Sequence, residues 1–309
     1  MKFFVGVTDN EWYSYLGDLQ PDEVNFWKPS GKSFQAIDIG CPFLFKLHSP
    51  LNYVAGGGYF VKAEKLPMSL AWKVFEEKNG AADFDNFSQL IKSKRHDSEH
   101  DPMITCIILN EPFFFPRDDW ISPPEDWKAN IMTGKSYNTD DSIGSRLWAK
   151  VQQKLAAYAT PIQDNSKGTT VHEPLELYGK EYLTKNRLGQ GAFRVLVTSA
   201  YHKRCSITGE RTLPVLEAGH IKPVAKSGPN QVNNGVLFRA DMHIIFDKGY
   251  LTITPDYNVE ISKKIKEEYE NGRDYYVYHG KTLQILPDNT IEMPSKEYLR
   301  WHNEKVYLG

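Results

Sequence analysis

Apolar side chains in the first 140 residues come in short runs: KFFVGVTDNEWYSYL, EVNFWKPSG, CPFLFKLHSP, VAGGGYFVKAEK and MITCIILNEPFFFP, with glycine, proline or polar clusters between them. Runs of this length, rich in aromatic and β-branched residues, predict short strands of a small, strongly curved sheet or barrel. MSLAWKVFEEKNG and DFDNFSQLIKSKR break that rhythm, because their apolar positions recur at helical spacing, and they read as helical excursions from the barrel. DDSIGSRLWAKVQQKLAAYATP reads as one amphipathic helix capped by Asp141 or Ser142 and stopped by Pro161. Its apolar stripe is Leu147, Val151, Leu155 and Tyr158, able to pack on either domain or on a second copy of the chain. The polar, Gly/Pro-punctuated IQDNSKGTTVHEPLELYG that follows reads as a linker.

A different pattern begins near residue 186. LPVLEAGHI has strand character, ends in His220 and is closed by Pro223; after the polar loop KSGPNQVNNG, LFRADMHIIFDKG fits a short helix stopped by Gly249. His243 and Asp247 are four residues apart and share one helix face. KGYLTITPDYNVEIS alternates as a hairpin, KKIKEEYENG reads as a short charged helix, and DNTIEMPSKEYLRWHNEKVYLG as a further strand and helix. The fold class is α+β, with a barrel domain over 1–140, a linker helix and linker over 141–180, and a second domain over 181–309.

One imidazole on a strand, with an imidazole and a carboxylate on the following helix, forms a strand, strand, helix unit able to hold one divalent ion. Cleaving a phosphodiester needs a base to activate water, a metal to neutralise the phosphate and the leaving oxygen, and a group to fix the base. His220 suits the first role, His243 and Asp247 the second, and Asn234 the third. A turn at Asn234-Gly235 is a competing structural reason for that asparagine. For Asp247 the competing reading is an aspartate that faces solvent near a helix end.

The formal net charge of the 309 residues is −2. From 185 to 239, however, nine bases (Lys185, Arg187, Arg194, Lys203, Arg204, Arg211, Lys222, Lys226, Arg239) stand against two acids, Glu210 and Glu217. That local excess points to a polyanionic partner, although a solvated basic face is the bland alternative. Gln190 and Arg194, four apart before the CSIT turn, together with Arg204 and Lys222, are the candidate DNA contacts. Three cysteines, Cys41, Cys106 and Cys205, suggest a reducing compartment and leave no basis for a structural zinc site. MKFFVGVTDNEWYS meets charge and tryptophan too early for a secretory signal, and no apolar stretch approaches a membrane span. A cytoplasmic protein without a membrane partner is expected.

Residues 186 to 255 resemble the HNH endonucleases with the ββα-metal fold. RLGQGAFRVLVTSAYHKRCSITGE is similar to the helix and CxxTG turn that precede the active site in restriction-type members; EAGHIKP, NNG and MHIIFDKG follow in order. The resemblance implies His220 as general base, Asn234 as the middle residue of the motif, and His243 as the last, on a metal such as Mg²⁺ or Mn²⁺. Two departures stand out. Gly219 occupies a position where many members carry an acidic or histidine ligand, with Glu217 two residues back on the same strand face as a possible substitute. CSIT has one cysteine where zinc-stabilised relatives carry CxxC pairs.

The first 140 residues resemble the EVE domain of the PUA superfamily, which includes YTH-like and SRA-like readers of modified bases. The counterparts of its landmarks are VNFW at 24–27, FLFKLHS at 43–49 and VAGGGYFV at 54–61. Trp27 and Leu47 stand where the family has tyrosines, and a helical stretch near 68–95 is inserted. A flipped base is held between aromatic faces and by hydrogen bonds to its Watson-Crick edge. Trp27 and Phe26 would supply a wall, Asn25 an amide, His48 and Ser49 polar contacts, with Trp12 and Tyr59 as further candidates; packing in a barrel core is the competing role for these aromatics.

Together the resemblances imply a modification-dependent restriction endonuclease. It would read 5-methylcytosine or 5-hydroxymethylcytosine in double-stranded DNA by base flipping and cut nearby, as a homodimer if both strands are broken. The alternatives are an HNH endonuclease reading unmodified DNA or RNA, a non-catalytic binder with a degenerate HNH unit, and a first domain devoted to protein interaction.

Overall fold

The apolar runs of the first half become strands of one mixed sheet because both faces find cover. The computed structural model, which describes residues 1–158 and 188–309, divides into two units, Met1–Lys185 and Asn186–Gly309. In the first unit β1 (Lys2–Thr8), β2 (Glu23–Lys28), β3 (Pro42–Leu47), β4 (Val54–Pro67), β5 (Met103–Phe114) and β6 (Gly134–Asn138) lie in the order β2-β5-β4-β3-β1-β6. Among the described residues only β1 and β3 pair in parallel; the other ladders of this sheet are antiparallel. Every residue of β3 is buried, which is why FLFKL reads as a continuous apolar run and not as an alternation.

The sheet curls back on itself. Phe26 on β2 and Phe43 on β3 are three strand positions apart, about 14 Å in a flat sheet at ~4.8 Å per strand, yet their ring centroids are 4.7 Å apart. Gly6 on β1 makes room for this inner aromatic cluster: a Cβ there would lie 2.5 Å from Phe43 Cζ and 3.2 Å from Phe26 Cζ. Register shifts in β4, between Gly57 and Tyr59 and between Phe60 and Lys62, bend the longest strand. Among the described residues no ladder joins the edge strands β2 and β6, so the predicted barrel is a curled sheet left open along one seam.

Helices cover the outside. α1 (Asn10–Leu19) falls where the sequence suggested a strand run; Asp9 caps it, accepting from Glu11 N at 2.9 Å, and Trp12, Tyr13 and Leu16 form its buried face. α2 (Met68–Phe75) and α3 (Phe84–Ser93) are the expected excursions, and Phe87 of α3 packs edge-on against Trp27 at 5.9 Å. α4 (Ser142–Tyr158) buries Leu147, Trp148 and Val151 against Phe3, Val5 and Tyr137, so its stripe packs on the first unit, with Leu155 at the margin and Tyr158 exposed. The linker read over 162–179 lies outside the described residues.

In the second unit α5 (Gln190–Ala200) precedes β7 (Leu216–His220), β8 (Gly235–Arg239) and α6 (Ala240–Asp247). β9 (Leu251–Ile253) and β10 (Val259–Ile261) form the expected hairpin, followed by α7 (Lys264–Tyr269), α8 (Arg273–Tyr276) and α9 (Lys296–Lys305). Leu213–Val215 is a separate helical turn begun by Pro214, so the strand before His220 is shorter than LPVLEAGHI suggested. The C-terminal stretch supplies its helix, α9, but no strand among the described residues. Phe193, Val197, Val236, Phe238, Met242 and Phe246 are buried between α5, the β7/β8 pair and α6. Among the described residues no helix is long and apolar enough to cross a membrane.

Candidate active site and aromatic pocket

Antiparallel pairing of β7 with β8 sets Gly219 opposite Val236 and His220 opposite Gly235, at the end of the ladder. The His220 ring stacks on Phe193 of α5 with centroids 3.9 Å apart and planes 9° from parallel. Its Nε2 meets Oδ1 of Asn230 at 2.8 Å. Burial holds the His220 pKa below the ordinary histidine value; the Asn230 contact opposes that shift, and the charges of His243 and Arg194 add to it. His220 is therefore a neutral, partly sheltered imidazole.

α6 presents His243 to β7. His243 Nδ1 lies 2.9 Å from Glu217 Oε2, and His243 Nε2 lies 3.5 Å from Asp247 Oδ2 one turn on. The ring passes over Gly219, where a Cβ would stand 2.6 Å from His243 Cδ2. This explains the glycine: a side chain at 219 would occupy the space of the imidazole. Burial raises the Asp247 pKa, while the nearby imidazoles of His243 and His220 favour its ionised form.

Asn234 is fully buried and its side-chain hydrogen bonds go elsewhere than to His220. Its Oδ1 accepts from Lys222 N at 2.9 Å, and its Nδ2 donates to the Lys222 and Pro229 carbonyls, each at 2.9 Å. It laces the loop that follows His220, and the side chain on the imidazole is Asn230. No motif pointed to Asn230, which is one of several asparagines in GPNQVNNG. Cys205, also buried, accepts at Sγ from Thr208 N at 3.4 Å and Arg239 N at 3.2 Å, tying the CSITG turn to the start of α6.

A divalent cation would find a two-donor face here. Two donor atoms each about 2.1 Å from one cation lie ~3.0–3.4 Å apart across a right or tetrahedral angle, close to the His243 Nε2 to Asp247 Oδ2 separation of 3.5 Å. Glu217 behind Nδ1 gives the carboxylate-imidazole arrangement that orients a metal-binding histidine. Among the described residues no three His, Cys, Asp or Glu side chains gather around one point. The remaining positions of a bound ion would fall to water and phosphate oxygens.

The basic residues divide in two. Gln190 is exposed at the start of α5 and Arg194 follows one turn later; Arg204 lies at the CSITG turn, and Lys222 Nζ sits 5.8 Å from the Trp301 ring centroid. Arg239 is engaged by Asp241 at 2.6 and 2.7 Å, so the charge excess counted along the chain overstates the field at the site. Lys185 and Arg187 lie outside the described residues.

In the first unit a cavity of about 240 Å³ opens between the ends of β1 and β2. Of the seven predicted pocket residues, Trp12, Phe26, Trp27 and His48 line it, joined by Lys94 and Met132. Trp12 meets Phe26 and Phe45 edge-on at 5.5 and 5.2 Å, and Trp27 Nε1 donates to Asn79 O at 2.9 Å. Asn25, Ser49 and Tyr59 do not line it. The Asn25 amide donates to Asn79 Oδ1 at 2.8 Å, Ser49 is exposed beyond the rim, and Tyr59 on β4 faces Phe113. Lys94 and Met132 went unread because nothing in the chain pattern marks loop residues 30 or more positions apart as neighbours.

Residues 205–254 match the family described as HNH endonuclease. This stretch of the second unit thus matches an HNH endonuclease region, built here as a strand, strand, helix unit, and the activity the match supports is that of a nuclease. Among solved structures, a variant of the ASCH protein from Zymomonas mobilis superposes with a TM-score of 0.36 at 9% identity, covering 49% of this chain and 99% of that one. The ASCH protein itself gives 0.31 at 10% identity, covering 50% and 94%. The modification-dependent restriction endonuclease TagI gives 0.28 at 13% identity, covering 93% of this chain and 76% of that one. Comparison with curated proteins yields no match.

Proposed function

We propose that the protein is a modification-dependent DNA endonuclease in which the first unit reads 5-methylcytosine or 5-hydroxymethylcytosine and the second cuts the backbone. The observation that carries the nuclease half is the convergence on β7 and α6 of a neutral imidazole, His220, and a carboxylate-backed imidazole, His243 with Glu217 and Asp247. His220 takes the proton from the attacking water, its low pKa keeping it unprotonated at neutral pH. His243 and Asp247 hold the divalent ion, which when bound neutralises the scissile phosphate and stabilises the leaving oxygen. Gln190, Arg194, Arg204 and Lys222 hold the DNA backbone, and Asn234 acts through the loop that carries Lys222. Cutting both strands calls for two such sites, supplied by a homodimer.

The reading half rests on the cavity lined by Trp12, Phe26, Trp27 and His48. Aromatic walls with a polar rim suit an extruded base. Gly219, the ground for a degenerate, non-catalytic unit, has a packing reason of its own in the His243 ring that lies over it.

The test is cleavage of matched plasmids carrying cytosine, 5-methylcytosine or 5-hydroxymethylcytosine, with Mg²⁺ or Mn²⁺. Cutting confined to a modified plasmid is expected. Equal cutting of all three overturns modification dependence, and cutting of none overturns the nuclease reading for these substrates.

A further inference from the structure

Asn230 is buried, at 8% exposure, and its amide is committed in two directions. One end meets the Leu188 carbonyl at 2.9 Å and the other meets His220 Nε2 at 2.8 Å. A carbonyl only accepts hydrogen bonds, so the end facing Leu188 must be the Nδ2 donor. The end facing His220 is then Oδ1, which also only accepts. For that contact to be a hydrogen bond, Nε2 must carry the proton, and in a neutral imidazole the lone pair is left on Nδ1. This assignment follows from the chemistry of the two partners and leaves no freedom to exchange the amide ends. Phe193, stacked 3.9 Å from the ring, opposes the rotation that would exchange the two nitrogens.

We propose that Asn230 is the positioning residue of the active site, fixing His220 as the Nε2–H tautomer so that Nδ1 is the atom that accepts the proton of water. The proposal rests on the nuclease reading of His220. Leu188 becomes part of the same device: its backbone carbonyl, just before α5, orients the amide that orients the base. The buried chain Leu188 to Asn230 to His220 also ties the base to α5, which carries Gln190 and Arg194.

The tautomer can be read without cleavage. In the metal-free full-length protein labelled with ¹⁵N at histidine, and with the ring signals of His220 assigned by their loss in His220→Gln, the expected spectrum is that of an Nε2–H imidazole. An Nδ1–H ring in the wild type overturns the proposal, and that measurement needs no folded Asn230 variant. In Asn230→Leu the His220 signals should move to a mixture of tautomers, and kcat should fall about 10- to 100-fold with DNA affinity and KM unchanged. A folded Asn230→Leu protein that keeps the wild-type tautomer or the wild-type kcat also overturns it. Because the spectrum is independent of turnover, a wild-type chain that cuts no DNA counts against the nuclease reading and leaves the tautomer assignment standing on its own.

Discussion

His243 lies over Gly219 so closely that a methyl group on the glycine would stand 2.6 Å from the ring's Cδ2 and 2.7 Å from its Nε2. The nitrogen most crowded is the one that faces Asp247. Gly219→Ala must push the ring away from β7, at a packing cost of about 1–3 kcal/mol, and separate the two donors. Cleavage is expected to fall about 10- to 100-fold while duplex affinity stays within about twofold, measured by plasmid nicking and by fluorescence anisotropy. Wild-type cutting by this variant would place His243 away from the reaction.

Glu217 accepts from His243 Nδ1 at 2.9 Å, which leaves Nε2 free to bind a cation. Glu217→Gln keeps the shape and removes the charge, so metal affinity should weaken by about 10- to 100-fold. Titration of Mn²⁺ into the full chain reads this directly, and high metal should restore most of the lost cleavage. An unchanged metal affinity would leave Glu217 with a packing role only.

The legible part of this molecule is the part whose chemistry is contiguous. His220, His243 and Asp247 fall within 28 residues of chain, on a strand and a helix whose periods announce which faces they share. Glu217 was legible through the same alternation, as the neighbour of Gly219 on one strand face. Asn230 was not, because a loop has no period and an amide's role depends on the carbonyl it finds, here that of Leu188, 42 residues away. The first unit repeats the lesson. Aromatic density foretold a curled sheet, but Asn25 turned to Asn79 in the inserted helical stretch and Tyr59 to Phe113 on the neighbouring strand β5. Asp9 and the Trp12, Tyr13, Leu16 spacing announced α1; the surrounding aromatic runs masked it.

The acid limb of catalysis should sit low. Burial depresses the His220 pKa, so the neutral form that accepts a proton persists below the ordinary histidine value of about 6.5. The rate kcat/KM should rise with pH along a limb centred below that value, checked by a pH profile at saturating metal. A limb centred above it would identify another group as the base.

His302 gives the second unit an acid sensitivity of its own. It is stacked on Phe246 at 3.8 Å, its Nδ1 lies 2.8 Å from Thr252 Oγ1 and its Nε2 3.2 Å from the Phe246 carbonyl. Burial pushes its pKa down to about 4. Between that value and about 6.5 the unfolded chain binds a proton that the folded one refuses, so stability falls as pH drops through this window. The whole loss is about 3 kcal/mol. Denaturant unfolding of the wild type and of His302→Gln from pH 7 to pH 4 should show the wild type losing more of its stability; parallel losses would mean that His302 does not set the acid limb.

His48 offers the cleanest probe of the cavity in the first unit. Phe26 and Trp12 are buried in the aromatic cluster, and truncating either would cost about 3–5 kcal/mol of packing, which confuses reading with folding. Trp27 has the same defect, since it packs on Phe87 and donates to Asn79 O. His48 lines the cavity but is exposed, with its backbone N–H held by Asn10 Oδ1 at 2.9 Å and its ring only 3.3 Å from the Ser49 carbonyl. His48→Ala therefore removes a rim side chain and keeps the turn. Thermal stability should change by less than about 0.5 kcal/mol, as for ordinary surface substitutions. The preference for a modified over an unmodified duplex should shrink by about tenfold, the worth of one good polar contact to a base at ~1–3 kcal/mol. Competition binding with the two duplexes measures the ratio, and a preference that survives intact places the reading surface away from this rim.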